Sequence, residues 1–183
     1  MSLPASVEGH AFPRLFCALR FPAATLDVLE AWQSEHLSGR VVLREHVHVT
    51  LAFLGRTPAA GLEAVGGELR RSAAATGGGI VLRARRYRET GSVGMIELED
   101  VGARSARLAA TLHEGLERLG VYRREQRPWL PHLTVLRFRR RPGLHPPLPE
   151  LGAFSPSEAA VYHSVLRPTG AQYEVLESYA LGG

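Results

Sequence analysis

Lysine is absent from the 183 residues, cysteine occurs once, and no long apolar run is present. The single cysteine, Cys17, rules out an intramolecular disulfide and any multi-cysteine zinc site. It sits inside LFCALRF, where a small buried hydrophobe is the expected role and a reducing compartment is suited to it. No stretch approaches the ~20 apolar residues that a membrane-spanning helix needs. Nor does a basic segment precede an apolar one at the start, so a soluble cytoplasmic protein is expected. The missing lysine means that all 22 basic residues are arginine, giving a net charge of +4 and a pI near 9.8.

Arginine is planar and grips phosphate oxygens in pairs, so an acidic partner fits this charge. A codon bias toward Arg, Ala and Gly accounts for the count equally well, but it leaves the clustering unexplained. Arg123, Arg124 and Arg127 precede the segment PWLPHLTV, and Arg137, Arg139, Arg140 and Arg141 follow it. A modest basic rim around one segment suits a short nucleic acid or a nucleotide better than a long duplex.

The length allows one domain, or two small lobes sharing a core. Residues 1–12 read as a disordered leader, and residues 13–183 as a single domain. RLFCALRF reads as a buried strand, followed by a helix from Pro22 to about Leu37 that Gly39 ends. Strand RVVLR leads into a strand over HVHVTLAFLG, after which Thr57 and Pro58 read as N-cap and first residue of a helix to about Ala75. Gly77 to Gly79 form a joint. IVLRARRYRE and SVGMIELE then resemble an antiparallel pair, and a helix spans about Ala103 to Leu119. PHLTVLRFRR, a proline-rich loop over 142–149 and two late strands near 158–166 and 172–181 complete the chain. Without a regular βαβ rhythm the class is α+β.

One echo inside the chain carries chemistry. His48-Val-Thr50-Leu recurs as His132-Leu-Thr134-Val, 84 residues later, each in an apolar strand-like run. Alternate strand residues share a face, so Val47, Val49, Leu51 and Phe53 are expected in the core while His46, His48, Thr50 and Ala52 point the other way. In the second copy His132 and Thr134 share a face. If the halves pack about an approximate two-fold axis, both pairs face one groove and bring two imidazoles to opposite sides of one phosphorus. Imidazole, with an ordinary pKa near 6.5, can serve as base on one side and acid on the other. The threonine hydroxyls can donate to phosphoryl oxygens, which makes diester hydrolysis feasible without a metal or other cofactor.

These paired motifs resemble the 2H phosphoesterase superfamily. The stretches RLFCALRFP, HVHVTLAFLG, PHLTVLRF and SVLRPTGAQYEVLESYAL extend the similarity to its LigT-like branch, the RNA 2′,3′-cyclic phosphodiesterases also described as 2′-5′ RNA ligases, over about Arg14 to Leu181. The resemblance implies a two-lobed fold of related halves, with antiparallel sheets flanked by helices around a central cleft. It implies hydrolysis of a 2′,3′-cyclic phosphate to a 2′-phosphate, with His48 as general acid, His132 as general base, and Thr50 and Thr134 holding the non-bridging oxygens.

The family also places an arginine just past its second motif, which Arg137 matches. Arg137 lies five positions from His132, however, and on a regular strand that odd offset turns it away from the cleft unless the strand bends or bulges. The second motif reads Val135-Leu136 where the family usually has Leu-Ala. Phe53, Trp129 and Tyr173 are candidates to stack on a nucleobase, with core packing the competing role. His113 and His163 read as structural. RNA ends or small cyclic nucleotides are the expected partners, with no membrane and no obligate protein partner; a monomer is the default. Two alternatives stand beside this reading: a non-catalytic RNA-end-binding module, and a metal-dependent hydrolase using His46 and His48.

Overall fold

A computed structural model describes residue 7 and residues 11–77, 79–167 and 170–181. The run from Arg14 to Arg20 is apolar in its interior, charged at both ends and too short for a helix, and it forms strand β1 (Arg14–Arg20). Pro22 then sets up α1 (Ala23–His36) with an extended backbone. The remaining elements follow in order as β2 (Arg40–Val41), β3 (Val49–Arg56), α2 (Leu62–Thr76), β4 (Val81–Glu89), β5 (Val93–Val101), α3 (Arg104–Arg118), β6 (His132–Arg137), β7 (Ala153–Phe154), β8 (Glu158–Arg167) and β9 (Gly170–Ala180).

The strands form two antiparallel sheets. Sheet A has the order β3-β1-β8-β9, and sheet B the order β2-β6-β5-β4-β7. Helices α2 and α3 pack together against β8 and β3 of sheet A. Gln33 of α1 reaches the backbone of β6 in sheet B. One core runs through both lobes, from Leu15, Cys17 and Leu19 to Ile96, Leu133 and Val135. The opposite face of sheet A carries a separate small cluster of Phe16, Ala18, Ala160 and Tyr162, with Tyr173 against it. That second face lines the cleft. Cys17 is fully buried and its thiol is pushed up to about 12 by burial, the state of an inert core residue.

Several local expectations change. RVVLR is a strand only at Arg40–Val41, because Arg44–His46 turn into a short 3₁₀ segment. His46 therefore precedes the strand, which starts at Val49. Thr57 does not cap α2; its hydroxyl bonds the Gly55 carbonyl at 3.3 Å, and a 3₁₀ turn over Ala59–Gly61 comes before the helix. Gly77 ends α2 in the left-handed region at φ 69°, the conformation glycine adopts at least cost. Within 1–12, residues 1–6 and 8–10 lie outside the described residues; Val7 is buried, and the Ala11 carbonyl accepts the Ala59 N–H at 3.0 Å.

The contact of α2 with α3 yields a stability prediction. A Cβ at Gly115 of α3 would overlap the Glu68 carboxyl of α2. That carboxylate is 6% exposed and paired with Arg71 and Arg118, so it cannot move without stranding a buried charge. Gly115→Ala is expected to destabilise by about 1–3 kcal/mol through overpacking, against a helix-propensity gain of only ~1 kcal/mol. Thermal unfolding of this variant, with Glu68→Ala added to relieve the overlap, checks it; a higher Tm for the single variant would show that the helices part freely.

Candidate active site

His48 and His132 are held alike. Each Nδ1–H donates to the backbone carbonyl two residues earlier, His48 to His46 at 2.7 Å and His132 to Leu130 at 2.9 Å. A carbonyl can only accept, so the proton sits on Nδ1 and each Nε2 is left for other chemistry. Thr50 and Thr134 follow two positions on, sharing the face of their histidine.

Both strands then break their period. In β3, Thr50 opposes Ala18 of β1, Ala52 opposes Cys17, and Phe53 opposes Phe16, leaving Leu51 without a partner. In β6, Thr134 opposes Met95, Leu136 opposes Gly94, and Arg137 opposes Val93, leaving Val135 without one. Each strand is thus bulged at the third residue after its histidine. A bulge reverses the parity of the residues beyond it, in β3 as far as a second register shift between Phe53 and Gly55. The fifth residue after the histidine, Phe53 in one lobe and Arg137 in the other, is thereby turned back onto the cleft face.

This resolves the odd offset of Arg137 and corrects the expected placement of Phe53. Phe53 is 51% exposed and not a core residue; it stacks beside Phe16 at 6.4 Å, with the Arg14 guanidinium 5.5 Å from its ring centroid. Ala52, expected on the polar face, is buried in its place.

The bulges free backbone carbonyls, and helix side chains capture them. Leu51 accepts from His113 Nε2 of α3 at 2.8 Å. Val135 accepts from Gln33 Nε2 of α1 at 3.1 Å and from the Val42 N–H at 3.0 Å. His113 and Gln33 are both buried, and burial also lowers the pKa of His113, keeping it the neutral donor. Buried polar groups of this kind require partners. Sequence reasoning missed both roles, although a signal existed: each residue lies on an apolar helix stripe, Gln33 between Leu29 and Leu37, His113 between Ala109 and Leu116. Trp129 is placed similarly. Its indole N–H donates to the Thr50 carbonyl at 3.0 Å and its ring packs on the core, so it positions Thr50 and does not line the cavity.

A cavity of about 240 Å³ lies between the lobes. His46, His48, Thr50, Phe53, Thr134, Arg137 and Tyr173 line it, together with Arg14, Phe16 and Ser164, and among the described residues no carboxylate does. Tyr173 packs its ring 4.8 Å from His46 and 5.5 Å from His48, and its hydroxyl accepts from Arg137 at 3.4 Å. His132 is half-exposed and is not among the residues that line this cavity, although Thr134 two positions on is, and it lies close enough for its charge to act on His48. Among the described residues no group of three or more His, Cys, Asp or Glu side chains could hold a metal ion, so His46 and His48 lack a third ligand.

The His48 ring stands against Phe16 and Tyr162, at 5.0 and 5.8 Å, as well as Tyr173. Its pKa is pushed down to about 4, first by burial, then by the charges of Arg137, His132 and His46; the bond to the His46 carbonyl opposes them. Desolvation and like charge both disfavour the imidazolium. In the free protein His48 is therefore neutral above about pH 4. NMR titration is expected to place its ring midpoint near 4, and Arg137→Gln to raise it; a midpoint near 6.5 in the unmodified chain would contradict this electrostatic description.

Comparison with known proteins supplies relatives. A family model described as the 2′-5′ RNA ligase superfamily matches residues 21–167. The RNA 2′,3′-cyclic phosphodiesterase of Escherichia coli K12 is 27% identical over 177 residues, covering 92% of this chain and 96% of its own. Among solved structures, E. coli LigT complexed with 3′-AMP superposes with a TM-score of 0.76 at 24% identity, covering 94% of this chain and 99% of LigT. TT0787 of Thermus thermophilus gives 0.76 at 27% identity, covering 92% and 97%. The two-lobed α+β architecture is common to them all.

Proposed function

The chain belongs to the 2′-5′ RNA ligase superfamily, and from that premise we propose that it is a phosphodiesterase opening RNA or nucleotide 2′,3′-cyclic phosphates to 2′-phosphates without a metal. The observation that carries this reading is the duplicated arrangement of the histidines. Each keeps its Nε2 for chemistry, and a threonine hydroxyl two residues on from each lines one arginine-containing cavity that no carboxylate among the described residues enters; His48 lines it too. That E. coli LigT forms complexes with phosphate and with 3′-AMP supports an anion and a nucleotide as ligands of this fold.

In the proposed reaction water attacks phosphorus opposite the 3′ oxygen. His132 Nε2 takes the proton from water, the P–O3′ bond breaks, and His48 Nε2 delivers a proton to the departing O3′, leaving phosphate on O2′. Thr50, Thr134 and Arg137 carry the charge that builds on the non-bridging oxygens. Ligation is the same ring opening with a 5′-hydroxyl attacking phosphorus in place of water, so that a 2′-5′ diester forms as the P–O3′ bond breaks. Phe53 and Tyr173 offer ring faces for the base.

The acid role implied for His48 requires an imidazolium, whereas the protein's own groups hold it neutral down to about pH 4. A phosphate anion supplies the difference. At ~4 Å and an effective dielectric of ~20, one unit charge is worth about 4 kcal/mol, or roughly three pKa units. That lifts the His48 pKa toward pH 7 only when substrate is present, so the ring can then carry the proton. Its NMR midpoint is expected to rise by two or more units on binding a 2′-phosphate nucleotide; no rise would transfer the acid role to His132.

Kinetics test the rest. With 2′,3′-cyclic, 3′,5′-cyclic and 2′-5′ linked substrates in chelator, the 2′,3′-cyclic end is expected to open to a 2′-phosphate. His48→Ala and His132→Ala should each lose about 10²–10⁴-fold in kcat/KM, and Thr50→Val or Thr134→Val about 10²-fold. A 3′-phosphate product, inhibition by chelator, or full activity in His132→Ala would each defeat the mechanism.

A further inference from the structure

The face of sheet B that bears His132 continues beyond the cavity. Glu97 of β5 stands directly opposite His132, and Arg86 of β4 stands directly opposite Glu97. Opposed residues of an antiparallel ladder share a face, and neighbouring strands lie ~4.8 Å apart, so Arg86 is two strands, or roughly 10 Å, from His132 along the sheet. A parallel row runs from Thr134 through Met95 to Arg88.

Glu97 is 2% exposed. Arg86 Nε lies 2.6 Å from its Oε2, and Arg88 Nε lies 2.8 Å from its Oε1. The Arg86 hydrogen bond, and then the Arg88 charge, hold the carboxyl below the usual carboxylate range against its own desolvation. Each guanidinium engages Glu97 through Nε, so its terminal NH₂ groups stay available, and the two side chains are 59% and 44% exposed. Two arginines on one carboxylate leave a net charge of +1, with the Arg86 fork fixed by its hydrogen bond and Arg88 held beside it as an ion pair. Arg85, the extra residue at the bulge of β4, is exposed beside them and adds positive charge, while Arg83 is opposed by Glu99.

We propose that Arg86 and Arg88, braced by Glu97, form a phosphate subsite for the internucleotide phosphate adjacent to the cyclic end, making an RNA strand the preferred substrate over a mononucleotide. This rests on the hydrolase reading above. A planar guanidinium fork matches two phosphate oxygens, and forks immobilised beforehand lose little side-chain freedom on binding. A nucleotide seated against Thr134 has these forks just past His132, where the rest of its chain can run. The competing role is that of ion pairs that only brace β4 against β5.

The test compares a 2′,3′-cyclic mononucleotide with a short oligoribonucleotide carrying the same cyclic end. The variant is Arg86→Gln, Glu97→Gln and Arg88→Gln together, which leaves no buried charge unpaired. The ratio of kcat/KM for oligonucleotide over mononucleotide is expected to exceed one in the unmodified chain and to fall about tenfold in the variant, through KM. Any effect on His132 itself cancels in this ratio. The slope of log kcat/KM for the oligonucleotide against log salt should become shallower by ~0.7 for each phosphate that the variant no longer neutralises. A ratio near one in the unmodified chain, or one that the variant does not change, overturns the subsite. If neither substrate turns over, the hydrolase reading falls, and affinity for an oligoribonucleotide ending in a 2′-phosphate then decides the subsite, equal Kd values in both proteins overturning it.

Discussion

A break three residues after each histidine, in β3 and in β6, sets the shape of the cleft. A regular strand could offer His, Thr and a third residue only at offsets of zero, two and four from the histidine. The bulges at Leu51 and Val135 move that third position to offset five, and the fold must then satisfy the carbonyls displaced from the ladder. It does so from behind, with His113 on α3 and Gln33 on α1. The two lobes solve one geometric problem with different side chains, as expected where duplicated halves share a backbone path and not a sequence.

The same break gives the lobes different chemistry at equivalent places. Phe53 and Arg137 are counterparts, one an aromatic face and the other a fixed positive charge. Arg137 has two consequences: it puts a fixed positive charge in the cavity, and it helps keep His48 uncharged. An imidazole packed among Phe16, Tyr162 and Tyr173 responds strongly to an arriving anion, because the surroundings that desolvate it also screen little. Protonation and substrate binding are thereby coupled. The aromatic floor belongs to the acid–base machinery as well as to packing.

Most of the fold was legible because it rests on local patterns. The apolar interior of Leu15–Leu19, the helical spacing after Pro22, the paired runs of β4 and β5 and the late hairpin each announce themselves within a dozen residues. What failed was local competition: Arg44–His46 turn where a strand was expected, and Thr57 bonds backward to Gly55 and does not cap α2. Among the described residues no helix is long and apolar enough to cross a membrane.

His48, Thr50, His132 and Thr134 could be read from the chain alone, since two-residue periodicity holds from each histidine to its threonine. Past that point parity fails, and nothing nearby in sequence announces a bulge. Its backbone demand is met by partners 62 and 102 residues away. The amino-acid order thus determined which groups are available for chemistry and that they come in two matching sets. Only the packed structure decided which of them face the cavity, which imidazole stays neutral, and that Trp129 serves the Thr50 backbone and not a base, because those outcomes depend on hydrogen bonds and desolvation that exist only after distant segments meet.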